Sequence, residues 1–191
     1  NFLASVHIDK IISGVAFLDI STGEFLVAQG STDYVDKLLQ SLQPKEVLFE
    51  RSKRQQFNDL FGTKFYTYAL EDWAYSEESS KERLLKQFQT SSLKGFGIHT
   101  MSSGVIAAGS ILQYLDITRH ERIGHISSIS RIEENKYVWL DRFTIRNLEL
   151  FNSLNEGAKT LSDYSIKSYV VSSRKHSNLA EYAASSVNAP E

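Results

Sequence analysis

The chain has 191 residues, 41% hydrophobic and 12% aromatic, enough to bury one substantial core, or one core and part of another. Its formal charge of −2 comes from 21 basic and 23 acidic residues with no extended run of like charge, so no broad electropositive face for nucleic acid is expected. Cysteine is absent, which excludes disulfides and thiolate metal sites, and no stretch has the length of a membrane span or the pattern of a signal peptide, so a cytoplasmic protein is expected.

Asn1 stands where a methionine would, directly before an apolar segment, and the chain reads as a piece of something longer. Residues 11–20, IISGVAFLDI, are rich in β-branched and aromatic side chains, and residues 24–30, EFLVAQG, follow after Ser21-Thr22-Gly23. This predicts a β-hairpin with Gly23 in the left-handed position of a three-residue loop. Residues 31–42 open with Ser31 and Thr32 as caps and place Tyr34, Val35, Leu38, Leu39 and Leu42 on one face, which predicts a helix ended by Pro44. A buried parallel strand is expected over 45–50, a short helix closed by Gly62 over 53–62, and an alternating strand over 64–70. This order implies a mixed sheet with right-handed crossovers and helices on its faces, an α/β domain.

Residues 79–89 predict a capped amphipathic helix, and residues 102–117 a longer one whose central Ala107, Ala108 and Gly109 suit close packing on another element. The polar stretch 118–125 is the candidate linker. A second unit is expected to open with a strand over 126–132, a strand over 136–140 and a helix over 142–154, and the segment 160–191 holds a weak strand and helix pattern.

Two-metal phosphodiester chemistry needs carboxylates that converge on cations. Asp19 and Glu50, each closing an apolar run, are the candidate pair for a metal-dependent nuclease, with Glu24, Glu71 and Asp72 the other acids near strand ends. Against this, Asp19 can instead cap the Ser-Thr-Gly turn. The histidines at 7, 99, 120, 125 and 176 lack metal-ligand spacing, and Gly95-Phe96-Gly97 lacks the third glycine of a dinucleotide site. No Walker-type sequence is present. Arg51, Lys53 and Arg54 can either meet phosphate or form a solvated helix start.

The blocks NFLASV, GVAFLDISTGEF, PKEVLFE, GFGI, AAGSILQYL, HISSI and LDRFTIRNLEL, in this order, resemble the MutS family of DNA mismatch repair proteins. The resemblance implies an RNase H-like connector domain over residues 1–121, a mixed sheet flanked by helices. After it, residues 122–191 would begin the family's α-helical core (lever and clamp) domain, with the match stopping near Leu161. It further implies that this chain holds no catalytic, cofactor or metal residues of its own. ATP and magnesium would belong to another domain of the parent protein, itself a homodimer that meets mismatched duplex DNA through further domains. The partner implied for this piece is MutL, with Glu82 and Arg83 on the 79–89 helix as the residues of its surface.

Overall fold

The structure, a computed structural model, describes residues 1–132. The strands and helices expected over 136–140, 142–154 and 160–191 lie outside the described residues. Six strands form one sheet: β1 (Leu3–His7), β2 (Ser13–Leu18), β3 (Phe25–Gly30), β4 (Glu46–Glu50), β5 (Thr67–Leu70) and β6 (Ser130–Arg131), in the order β5-β4-β1-β2-β3-β6. β1–β2 and β2–β3 pair antiparallel, whereas β1–β4, β4–β5 and β3–β6 pair in parallel. An antiparallel meander extended on one side by two parallel crossover strands is the RNase H-like mixed sheet expected. The centre of that sheet, β1, does not stand out as a strand in the sequence.

Among the described residues α1 (Thr32–Leu42), α2 (Arg54–Phe61) and α4 (Ser102–Ile117) pack on the sheet, and α3 (Glu77–Phe88) packs on α4. α1 begins where its cap predicts, with Ser31 Oγ accepting the Tyr34 amide at 3.2 Å, but Gln43 in the left-handed region (φ 46°), rather than Pro44, ends it. The β2–β3 hairpin closes through the Asp19 amide on Glu24 O and the Gly23 amide on Asp19 O. The loop is thus four residues, Ile20–Gly23, one longer than expected, with Gly23 at φ 79°.

Along each strand alternate residues face opposite layers. Leu3 and Ser5 of β1, Ala16 and Leu18 of β2 and Leu48 of β4 face α4, while Ala4, Val6, Phe17 and Phe49 face the α1 and α2 side. Ser5 is polar and fully buried, and its Oγ meets Tyr75 Oη at 2.9 Å and Ser110 Oγ at 2.6 Å, so the hydroxyls satisfy one another under α4.

α4 can lie close because its contact points carry no Cβ. A Cβ added at Gly14 of β2 would come within 1.9 Å of Ser103 O, and one at Gly109 within 2.4 Å of Ser80 Cα on α3. The small residues at the middle of α4 are therefore a packing device, as their composition predicts.

Residues 126–132 correct an expectation. Ile126, Ile129 and Ile132 are buried, β6 pairs with β3, and the compact unit runs from Asn1 to Ile132. The stretch expected to open a second unit is a strap on the first, held where Gln87 of α3 donates to Ile123 O and Ile126 O, both at 2.9 Å. Among the described residues no helix is long and apolar enough to cross a membrane.

Candidate functional site

Strand register decides the carboxylate pair. Leu3 of β1 stands level with Leu18 of β2 and with Glu46 of β4, and Val6 stands level with Val15 and Phe49. Asp19, one residue past Leu18, and Glu50, one past Phe49, therefore leave the sheet at opposite ends. Five residue steps at about 3.3 Å, combined with two strand spacings of about 4.8 Å, separate their backbones by roughly 19 Å. Two oxygens on one cation lie within ~5 Å of each other, and two bridged cations extend that by only ~4 Å. The nuclease reading built on Asp19 and Glu50 is thus ruled out by topology: β2 is antiparallel to β1 whereas β4 is parallel to it. Among the described residues no group of three or more His, Asp or Glu side chains is placed to hold a metal ion.

Asp19 instead organises its turn. Its Oδ1 accepts from the Ser21 amide at 2.9 Å and from Ser21 Oγ at 2.5 Å. The basic cluster is likewise engaged internally. Arg51 pairs with Glu71 at 2.6 Å, Arg54 lies 5.3 Å over the Phe49 ring, and Lys53 reaches back to the sheet. Asp72 accepts the Ser52 amide at 3.1 Å, and His125, far from any metal set, meets Ile20 O at 2.5 Å.

The sequence pattern does not single out what gathers around Glu50. Its Oε2 lies 2.8 Å from Lys53 Nζ and 3.7 Å from His7 Nδ1 at the carboxyl ends of β4 and β1. The same Nζ donates to Ile8 O at 2.7 Å. Burial, then the adjacent Lys53 ammonium, hold His7 below its ordinary pKa, so it stands neutral. Its ring stacks on Tyr75 with centroids 6.1 Å apart. The one sequence signal was Lys53 three residues after a strand-ending glutamate.

The two residues predicted for partner binding sit differently. Glu82 is exposed on a stripe of α3 with Glu78, Lys81, Lys86 and the following Gln89. Arg83 turns towards α4, where Nε meets Asp116 Oδ2 at 2.6 Å and Nη2 meets Oδ1 at 2.9 Å, and Nη1 donates to Gln87 at 3.2 Å. Only 14% of its side chain is exposed, so this bidentate pair positions α3 rather than presenting a free cation. α3 thus has an inner edge of Ser80, Arg83, Leu84 and Gln87 that docks it, and an outer stripe of mixed charge that is open.

Comparison with known proteins bears on this arrangement. Residues 1–127 match the family model for MutS domain II. The chain is 60% identical over 163 residues to the DNA mismatch repair protein MutS of Phocaeicola vulgatus, covering 85% of this chain and 19% of that protein. It is 59% identical over 161 residues to the MutS of Bacteroides fragilis, covering 84% of this chain and 19% of that one. The chain therefore spans about a fifth of the length of the curated relatives it matches. Among solved structures, Fowlpox virus resolvase in complex with substrate Holliday junction DNA superposes with a TM-score of 0.40 at 10% identity, over 60% of this chain and 99% of that one.

Proposed function

The chain belongs to the MutS family of DNA mismatch repair proteins, and from that premise we propose that its sheet unit is a non-catalytic connector with a MutL-binding surface on the outer stripe of α3. In this reading the unit joins mismatch-reading and ATP-hydrolysing domains of the parent, and its part is geometric. It keeps a stiff block between two moving neighbours. The parent would meet mismatched DNA, assemble as a homodimer and use ATP with magnesium through domains outside this chain.

The observation that supports the reading most is the two-sided build of α3. Its inner edge is fixed by Gly109, by the Arg83–Asp116 pair and by Gln87, so the outer residues Glu78, Lys81, Glu82 and Lys86 are displayed on a rigid support. Interlaced charges of both signs on such a stripe favour a partner with a complementary polar surface over a lipid face or a phosphate backbone. Pre-ordering spares the entropy of fixing the helix on binding.

Calorimetric titration of the 191-residue chain with MutL tests this. Glu82→Ala lowers the affinity roughly fivefold or more with the melting temperature unchanged, in keeping with loss of about 1 kcal/mol at an interface. Arg83→Ala and Asp116→Ala lower stability together and to a similar extent, because each breaks the same bidentate pair. Unchanged affinity in Glu82→Ala and Arg83→Ala alike removes the surface from α3.

A further inference from the structure

Open α/β sheets receive ligands at the carboxyl ends of their parallel strands, where backbone carbonyls point outward. In this chain that place is the end of the adjacent parallel pair β1 and β4, and its donors are those a cation takes: the Glu50 carboxylate, the Ile8 carbonyl and the Nδ1 of His7. The Lys53 ammonium lies 2.8 Å from the carboxylate and 2.7 Å from the carbonyl. His7 Nδ1 is buried with no hydrogen-bond partner among the described residues, and the buried Glu50 Oε2 is met by the Lys53 ammonium as an ion pair.

We propose that Lys53 is a built-in substitute for a bound cation: it occupies an oxygen- and nitrogen-lined site at the ends of β1 and β4, and a divalent ion enters only when the Lys53 charge is removed. Three features support this. First, Lys53 belongs to the 3-10 turn Arg51–Lys53 that follows β4 directly, so the ammonium is delivered by the same strand that carries Glu50, three residues away. It is always present, at an effective concentration a free ion does not match. Second, a divalent ion at this position would sit beside a fixed positive charge within about 3 Å, which repels it strongly in a half-buried setting. Third, the Glu50 carboxylate is only 14% exposed, so a cation beside it offsets the cost of its partial burial.

The site has two side-chain donors and one carbonyl, fewer than the three side chains of a dedicated metal centre. Once vacated, it would suit an ion tolerant of both oxygen and imidazole, such as Mn2+, at modest affinity. The other acids nearby, Asp9 and Glu77, add negative potential at His7. They favour a cation without closing a cage.

The test compares the 191-residue chain with Lys53→Ala and with Lys53→Ala/Glu50→Gln, each titrated with Mn2+. Binding is counted by electron paramagnetic resonance and located by paramagnetic line broadening. The expected result is that Lys53→Ala binds one Mn2+ roughly tenfold or more tighter than the parent chain. Broadening then centres on His7 and Ile8, and the double variant loses it. Melting with EDTA or with millimolar Mn2+ guards against a folding defect. Lys53→Ala is expected to melt lower in EDTA and to recover in Mn2+, while the double variant, with no charge to balance, melts above Lys53→Ala in EDTA and gains nothing from Mn2+. Equal Mn2+ binding by the parent chain at His7 overturns the proposal. So does a Lys53→Ala chain that Mn2+ neither stabilises nor broadens at His7.

Discussion

Substituting Gly109 by alanine probes the seat on which the α3 surface depends. The added Cβ would stand 2.3 Å from Ser80 Cβ and 2.4 Å from Ser80 Cα, whereas carbon atoms rest at about 3.5–4.0 Å. Because one of the two atoms is backbone, no rotamer change removes the overlap, and α3 must move off α4 by roughly 1 Å. Overpacking of this kind costs about 2–3 kcal/mol, and alanine returns up to about 1 kcal/mol through its better helix propensity. The net loss is about 1–2 kcal/mol, or a fall in melting temperature of roughly 2–8 °C for a chain of this size. Urea unfolding of the full chain measures it as a lower midpoint at constant slope. Gly95→Ala is the control, since a Cβ there meets nothing within 4 Å. The double variant Gly109→Ala/Ser80→Gly recovers only part of the loss, because Ser80 Cα remains. Gly109→Ala as stable as the parent chain, or Gly95→Ala equally destabilised, would refute the close-packing argument.

Other outcomes follow from neighbouring contacts. Partial burial and then the facing Glu46 carboxylate, 3.3 Å away, push the Tyr114 hydroxyl up to about 12. The folded state thus favours the protonated phenol, and the stability this gives is complete below pH 10 and lost as pH rises through 12. Tyr114→Phe removes that part of the alkaline loss, and the difference in phenolate absorbance between the two chains locates the titration. Gln87→Ala orphans the carbonyls of Ile123 and Ile126 and costs about 1–3 kcal/mol locally. Amide exchange at Ile132, bonded to Val27 O at 2.8 Å, then accelerates more than exchange in β1.

Local chemistry made much of this legible. Ser31 started α1, Gly23 turned the hairpin, and the small residues of α4 announced a tight contact, because each effect acts within a few residues or forces one packing solution. The central strand was hidden for the opposite reason. In β1 the inward positions Ser5 and His7 are polar, and they are tolerated only because partners 70 and 105 residues away, Tyr75 and Ser110, satisfy Ser5. No local period records that. The isoleucines at 126, 129 and 132 recur every third residue, neither a strand's alternation nor a linker's polarity, so their return to the first core was not visible. The Asp19–Glu50 pairing failed on strand direction, a property of the sheet rather than of either residue. Arg83 and Glu82 are neighbours in sequence, yet Arg83 turns towards α4 and Glu82 outward. One docks the helix and the other is displayed.

Chemical-shift mapping of the isotopically labelled chain on addition of MutL is the decisive measurement for the α3 surface, since it reads every surface at once. Perturbations are expected to concentrate at Glu78, Lys81, Glu82, Lys86 and Gln89, while α1, α2 and the β5 edge stay silent. Perturbations confined to α1, α2 or β5, with the outer stripe of α3 unmoved, would contradict the proposed surface.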